Sequence, residues 1–290
     1  MTNTSFSQQS DDSSLWLESL VNGLAGLRIK AKHPVYCGAS PFQKIEVYDT
    51  YGYGRILVLA GTIVLTEKDE FIYNEMITHP AMTMQKKPKN VCIIGGGDGG
   101  VLRQVLKYNG VQSVTVVEID QLVVKTIRKH FPALGAGFRD KRVKLVIDDG
   151  CRYLEKTRDK FDVILVDSFD PGGPVQSLLS GDFYQLAGGH ISPEGIVVFQ
   201  TGSPTVKPEQ VRAAIASISP LFPAFKLYCC VLPSFPEAVC SFLICAVKNG
   251  ILGSINEKRY ESIADSCRYY NRDIHTGAFL LPGTWRSATA

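Results

Sequence analysis

No apolar run in this 290-residue chain reaches the ~18 residues that a bilayer span needs, which excludes a helical membrane protein. No C-x-x-C pair occurs among its eight cysteines, so the spacing of a dithiol redox centre or a zinc ribbon is missing. Lys and Arg number 31 against 28 Asp and Glu, and no basic stripe with interleaved aromatics is present, so nucleic acid is not the expected partner. The opening "MTNTSFSQQSDDSS" lacks the basic and apolar regions of a signal peptide and is expected to be a disordered tail over residues 1–14. No internal repeat or low-complexity tract appears.

What remains is an ordinary globular composition with a small-molecule partner expected. Hydrophobic residues make up 45% and charged residues 20%, values that argue against a disordered chain. Cys92, Cys229, Cys230 and Cys245 lie inside apolar, strand-like runs and read as buried thiols of a reducing cytoplasm.

Hydrophobic periodicity divides the chain. From about residue 24 to 66, "LRIKAKHPVY", "FQKIEVYDT" and "RILVLAGTIVLT" alternate with turn residues and predict a small antiparallel unit, assigned to residues 15–67. "EKDEFIYNEMITHPAM" has helical spacing and predicts a bridging helix and linker over 68–88. After Pro88, apolar runs of strand length alternate with helical stretches: "NVCIIG", "SVTVVEID", "RVKLVIDD", "FDVILVD", "GIVVFQ", "FKLYCCV" and "SFLICAV". Strands buried on both faces and separated by helices predict a doubly wound parallel sheet with an antiparallel edge, over residues 89–290. "YESIADSCRYYNRDIHTGAFLLP" reads as helical at first and then irregular.

The chemistry collects at predicted strand ends, where open α/β sheets bind ligands. Asp98 follows the first strand, Glu118 ends the second, and Asp149 and Asp167 follow on the third and fourth, with Asp170 three residues further on. Gly95, Gly97 and Gly100 satisfy G-x-G-x-x-G, and Glu118 stands where an acid can hold a ribose. A dinucleotide would bring its pyrophosphate to the helix start, but Asp98 opposes that, because like charges ~4 Å apart repel by several kcal/mol at a partly buried site. Two readings of Asp98 fit the loop: it caps the following helix, or it faces a cationic nucleoside. Decarboxylated S-adenosylmethionine, with a bare ammonium and no carboxylate, suits acids at 98 and 167.

These residues resemble the spermidine synthase family, the polyamine aminopropyltransferases, from about residue 40 to 245. The matching motifs occur in order: "FQ" at 42–43, "DEFIYNEM" at 69–76, "GGGDGGVLR" at 95–103, "VEID" at 117–120, "DDG" at 148–150 and "DSFDPGGP" at 167–174. The resemblance implies a small N-terminal antiparallel β domain followed by a Rossmann-like, methyltransferase-type seven-stranded sheet. It implies transfer of the aminopropyl group of decarboxylated S-adenosylmethionine, a co-substrate, to an amine, putrescine by default. No metal and no permanently bound cofactor are expected, and the implied assembly is a homodimer or homotetramer. Carried over by position, Gln43, Asn74, Asp98, Glu118, Asp149, Gly150 and Pro174 would hold the donor, with Glu118 on the ribose and Asp149 towards the adenine amine. Asp167 would accept the proton, Tyr73 and Asp170 would orient the amine, and Gln200 and Phe235 would face it.

Departures from the family pattern cluster on the acceptor side: Asn74 replaces His or Gln, Phe169 replaces a small hydroxyl residue, Gly202 and Thr205 fall where a Glu followed by Ser-x-Trp is usual, and Phe235 replaces a Tyr. Donor chemistry is expected to persist, while putrescine, cadaverine, agmatine and spermidine all stand as acceptors. The competing readings are an S-adenosylmethionine-dependent methyltransferase on the same core and a non-catalytic polyamine or nucleoside binder.

Overall fold

In a computed structural model of the chain, the described residues are 15–286 except 22, 24, 168–177 and 179. The N-terminal strands are β1 (Leu15–Val21), β2 (Ala25–Ala39), β3 (Lys44–Thr50), β4 (Arg55–Leu59) and β5 (Thr62–Thr66), paired in that order in one antiparallel sheet. The periodicity at 24–66 missed β1 because its seven residues carry few turn signals; its register on β2 supplies Leu17 to a small core. β4 and β5 join through Ala60 and Gly61, both at positive φ (48° and 81°), the backbone of a tight two-residue hairpin whose twist matches its strands. Alternation sends Ile45, Val47, Leu57 and Leu65 into the main core and Tyr48, Ile56, Val58 and Ile63 to the other face, where they pack with Leu17 and Ile29.

Helix α1 (Glu70–Met84) leads into the larger unit and is almost entirely buried. It contains Pro80, which cannot donate to the carbonyl four residues back. That carbonyl, on Met76, accepts the buried Tyr228 hydroxyl instead at 2.8 Å, so the break costs no unsatisfied group.

The remaining strands are β6 (Asn90–Gly95), β7 (Ser113–Glu118), β8 (Val143–Ile147), β9 (Phe161–Asp167), β10 (Ile191–Gly202), β11 (Ala224–Val231) and β12 (Val239–Ala246). They form a seven-stranded sheet in the order β11-β12-β10-β9-β6-β7-β8. The five central and distal strands run parallel, while β12 is antiparallel to both β10 and β11. The expected α/β architecture with an antiparallel edge is therefore present. Helices α2 (Gly100–Leu106), α3 (Gln121–His130), α4 (Pro132–Gly135), α5 (Gly150–Lys156), α6 (Gly181–Gly189) and α7 (Pro208–Ile218) connect the strands. Two large apolar clusters cover the sheet's faces, which explains why the central strands read as unbroken apolar runs.

After β12 come α8 (Glu257–Ala264), α9 (Arg272–Ala278) and α10 (Gly283–Arg286). The stretch expected to be irregular thus contains a second helix, α9, whose start is capped by Asn271 through the Ile274 N–H at 2.8 Å. This segment packs on the core through Tyr260, Ile263 and Tyr270. All eight cysteines are free thiols, and only Cys37 is exposed. Among the described residues, no helix is long and apolar enough to cross a membrane, and no group of three or more His, Cys, Asp or Glu side chains is placed to hold a metal.

Candidate active site

Strand order reverses between β6 and β9, which lie side by side with Gly95 opposite Asp167. A crevice opens at such a switch point outside the carboxyl ends of the strands. Here the β4–β5 hairpin roofs it with Leu57, Leu59, Ala60 and Val64, leaving a cavity of about 280 Å³. Gln43, Tyr73, Asp98, Glu118, Asp149, Gly150, Asp167, Gln200 and Phe235 all line it, so the structure gathers nine of the twelve expected site residues around one space.

The donor end is built on backbone. Gly97 donates its N–H to Glu118 Oε2 at 3.0 Å, and Asp120 donates its own to Oε1 at 2.8 Å. A Cβ at 97 would sit 2.6 Å from that carboxylate, so glycine is required for the close approach. Burial pushes the pKa of Glu118 up to about 7 against these two donors, which lower it, and the nearby charges of Asp120 and Asp98 add to the rise. Asp98 accepts the Gly100 N–H at 2.8 Å, just ahead of α2, whose N-cap is Gly99 in the left-handed region (φ 76°). Asp98 is therefore not the N-cap itself: from one residue ahead of it, one oxygen takes the first N–H of α2, while the residue still lines the cavity.

Asp98 and Asp167 are both held above the ordinary carboxylate range, first by burial. For Asp98 the Gly100 N–H opposes the rise and Glu70 adds to it; for Asp167 the charge on Asp98 adds to it, the Tyr73 hydroxyl opposes it and Glu118 adds a smaller push. Three mutually repelling acids in one apolar-walled space form a site for positive charge: a cation would relieve the repulsion and the desolvation together.

The acceptor end is assembled from distant segments. The Tyr73 hydroxyl, on α1, lies 2.7 Å from Asp167 Oδ1 and 3.2 Å from Gln200 Oε1 on β10. Burial and the Asp167 charge raise that phenol well above its usual range, so it is a hydrogen-bond donor and not a base. Leu232, Phe235 and Cys240, from the β11–β12 turn and strand, complete the wall. The turn is held by Asp69, which accepts the Ser234 N–H at 2.9 Å and its hydroxyl at 2.6 Å, as well as the Thr66 hydroxyl at 2.6 Å. Asp69 stands at the N-cap position of α1 but makes no side-chain cap there; its carboxylate serves the turn instead.

Asn74, expected among the donor ligands, is not on the cavity wall. It is buried behind the glycine loop, donating to Glu70 at 2.7 Å and packed so tightly on Gly100 that a Cβ there would meet its amide at 2.1 Å. One residue further along α1 than Tyr73, it is turned about 100° round the helix from it. Gln43 lines the cavity while its amide donates to Asp120 Oδ2 at 3.2 Å, beside the Ser40 hydroxyl at 2.7 Å. Asp149 caps α5 through the Arg152 N–H at 3.0 Å and presents its remaining surface to the cavity. Gly202 has φ 86° at an irregularity of the β10–β12 pairing, a backbone reason for glycine there. Asp170 and Pro174, with Phe169, lie outside the described residues.

Two further contributors have no role assigned by the motifs. Asp120 joins the N-terminal strands to the donor end through Ser40 and Gln43, and its signal was its place ahead of α3, where it accepts the Leu122 N–H at 2.9 Å. The apolar roof gave no signal, since its residues read as ordinary strand core.

Residues 70–253 match the spermine/spermidine synthase domain, and residues 15–67 match the spermidine synthase tetramerisation domain. The chain is 37% identical over 256 residues to a polyamine aminopropyltransferase of Lachnoclostridium phytofermentans, covering 88% of this chain and 90% of that one. It is 35% identical over 269 residues to the polyamine aminopropyltransferase of a Thermoanaerobacter species, covering 92% and 96%. Among solved structures, a spermidine synthase in complex with the transition-state analogue AdoDATO superposes with a TM-score of 0.92 at 31% identity, covering 98% of this chain and 97% of that one. Spermidine synthase from Thermotoga maritima superposes with a TM-score of 0.90 at the same identity and coverage.

Proposed function

The chain belongs to the spermine/spermidine synthase family, and from that premise we propose that it moves the aminopropyl group of decarboxylated S-adenosylmethionine to putrescine or a related amine. The observation that carries this reading is the Tyr73 hydroxyl set between Asp167 and Gln200, in the same cavity as Asp98 and Glu118.

Glu118, oriented by two backbone donors, is suited to the ribose hydroxyls through its remaining lone pairs. Asp149 and Gly150 flank the adenine end, Gln43 closes it from the N-terminal strands, and Asp98 faces the donor's ammonium. Asp170 and Pro174 complete the acceptor and donor sides by family position.

An amine with a pKa near 10 costs roughly 4 kcal/mol to deprotonate at neutral pH. Asp167 accepts that proton, and its own raised proton affinity reduces the mismatch. Tyr73 fixes which oxygen of Asp167 faces the amine. The amine nitrogen then bonds to the carbon next to the sulfonium, the C–S bond breaks with its electrons going to sulfur, and neutral 5'-methylthioadenosine leaves. The match of residues 15–67 to a tetramerisation domain supports a homotetramer, with a dimer as the smaller unit.

The test is incubation with decarboxylated S-adenosylmethionine and a panel of putrescine, cadaverine, agmatine and spermidine, assaying 5'-methylthioadenosine. Turnover with at least one amine is expected; binding of the donor without product from any amine overturns the transferase reading.

A further inference from the structure

Helix α1 carries Tyr73, but it is a weak lever for holding it. Pro80 removes the backbone hydrogen bond to Met76, so the turn that ties the first half of the helix to the second is one backbone bond short. The first half, 70–76, is therefore more dependent on side-chain anchors for its exact rotation. The Tyr73 hydroxyl stands about 9 Å from the helix axis, so a rotation of only about 10° displaces it by about 1.5 Å, enough to lose a contact of 2.7 Å to Asp167.

Glu75 provides an anchor at the place required. It is two residues past Tyr73, about 200° round the helix from it, and 1% exposed. Its carboxylate accepts three consecutive backbone N–H groups of the C-terminal segment: Arg268 at 2.9 Å, Tyr269 at 2.8 Å and Tyr270 at 2.8 Å. Successive N–H groups converging on one carboxylate form an anion nest, and charge-assisted bonds of this kind are short and directional. The same segment grips the far side of the break separately. Tyr270 bridges the Thr83 hydroxyl at 2.8 Å and His275 at 2.7 Å, and Arg259 caps the carbonyls of Met82, Thr83, Gln85 and Lys86. The guanidinium of Arg268 also lies 3.7 Å over the Phe71 ring, in the first turn of α1.

We infer that Glu75, held by the 268–270 backbone nest, is a positioning residue for the reaction: it sets the rotation of the first half of α1 and so places Tyr73 against Asp167. The C-terminal segment then acts on turnover without touching either substrate. This inference rests on the proposed role of Tyr73.

The test uses the full chain. Glu75→Gln keeps the side-chain shape but replaces one acceptor oxygen with a donor facing the nest. It is expected to lower kcat at least tenfold, because misplacement of about 1 Å is costly in catalysis, while the KM for the donor stays within about twofold. Placed on a Tyr73→Phe background, Glu75→Gln should add no further loss in kcat. A lowered Tm with kcat unchanged, or the same fractional loss in kcat with and without the Tyr73 hydroxyl, overturns the inference. If Glu75→Gln fails to fold, Glu75→Asp, which keeps the charge but draws it back from the nest, should show the same split at about threefold, and full kcat at a lowered Tm overturns it. A crystal structure of the foldable variant gives an answer independent of turnover: Tyr73 displaced from Asp167 by about 1 Å supports the inference, and an unchanged contact overturns it. Wild-type protein inactive with every amine would instead count against the proposed function.

Discussion

The two ends of the cavity are made differently. At the donor end, each acid sits at or just after a strand terminus and is aimed by backbone N–H groups, most of them two or three residues away: Glu118 by Asp120 and, from the loop after the neighbouring strand, by Gly97; Asp98 by Gly100; Asp149 by Arg152. At the acceptor end, Tyr73, Gln200 and Phe235 come from one helix, one strand and one turn far apart in the chain. Their placement depends on side-chain contacts such as Asp69 to Ser234 across 165 positions. Local hydrogen bonding makes the donor end a property of short segments, whereas the acceptor end is a property of how those segments dock. Substitutions should therefore act on binding of one substrate at the first end, and on geometry and acceptor use at the second.

The largest expected effect breaks the division at the point where the ends meet. Asp167→Asn removes the proton acceptor but keeps a hydrogen-bond acceptor for Tyr73; kcat should fall by about 10³-fold, with donor affinity by calorimetry changing far less. A variant retaining most turnover would show that another group takes the proton.

Asp98→Asn sharpens the donor side. Its side-chain oxygen can still accept from Gly100, so the turn survives, but the charge is gone. Wild type should prefer decarboxylated S-adenosylmethionine over S-adenosylmethionine by about 10²-fold, from like-charge repulsion of the extra carboxylate, and the variant should lose most of that preference. Tighter binding of S-adenosylmethionine to wild type would favour a methyltransferase instead.

Asp69→Ala probes the other end. Loss of a buried acceptor of three hydrogen bonds should cost about 2–3 kcal/mol of stability and raise the acceptor KM severalfold through the freed Ser234 turn, leaving donor affinity unchanged. Equal losses for both substrates would dissolve the distinction between the ends.

The smallest effect is in pH. Glu118 in the folded, ligand-free protein holds its proton up to about 7, above its unfolded value. Its contribution to stability is thus fully present below the unfolded carboxylate range and is lost as pH rises through about 7. The Tm of the free protein should decline across that window, Glu118→Gln should flatten the decline, and the Tm gain from the cationic donor should grow with pH. Thermal melts at pH 5 and 8, with and without donor, check all three.

Much of the donor end was legible before any coordinates, because a parallel strand writes itself as an apolar run and the residue at its end is the one that faces the crevice. "NVCIIGGGDGG" and "FDVILVD" each mark a strand and the acid it delivers. Asn74 was misjudged because a one-residue step along a helix turns a side chain off the cavity, a rotation that motif matching does not track. Asp69, Glu75 and Asp120 lie inside the matched motifs "DEFIYNEM" and "VEID" without a role of their own there, because nothing local distinguishes a cap from a long-range anchor. Likewise α9 was hidden in a stretch with weak apolar periodicity, although Asn271 was its cap.

The order of strands and helices and the series of acids at strand ends follow from the sequence by itself, since each depends on neighbours a few residues away. Only the tertiary structure decided that Asp98, Glu118, Asp149 and Asp167 line one cavity, that Gly97 meets Glu118, that Tyr73 reaches Asp167, and that the C-terminal segment holds helix α1. Burial and charge repulsion depend on distance through space, and chain spacing does not encode that distance.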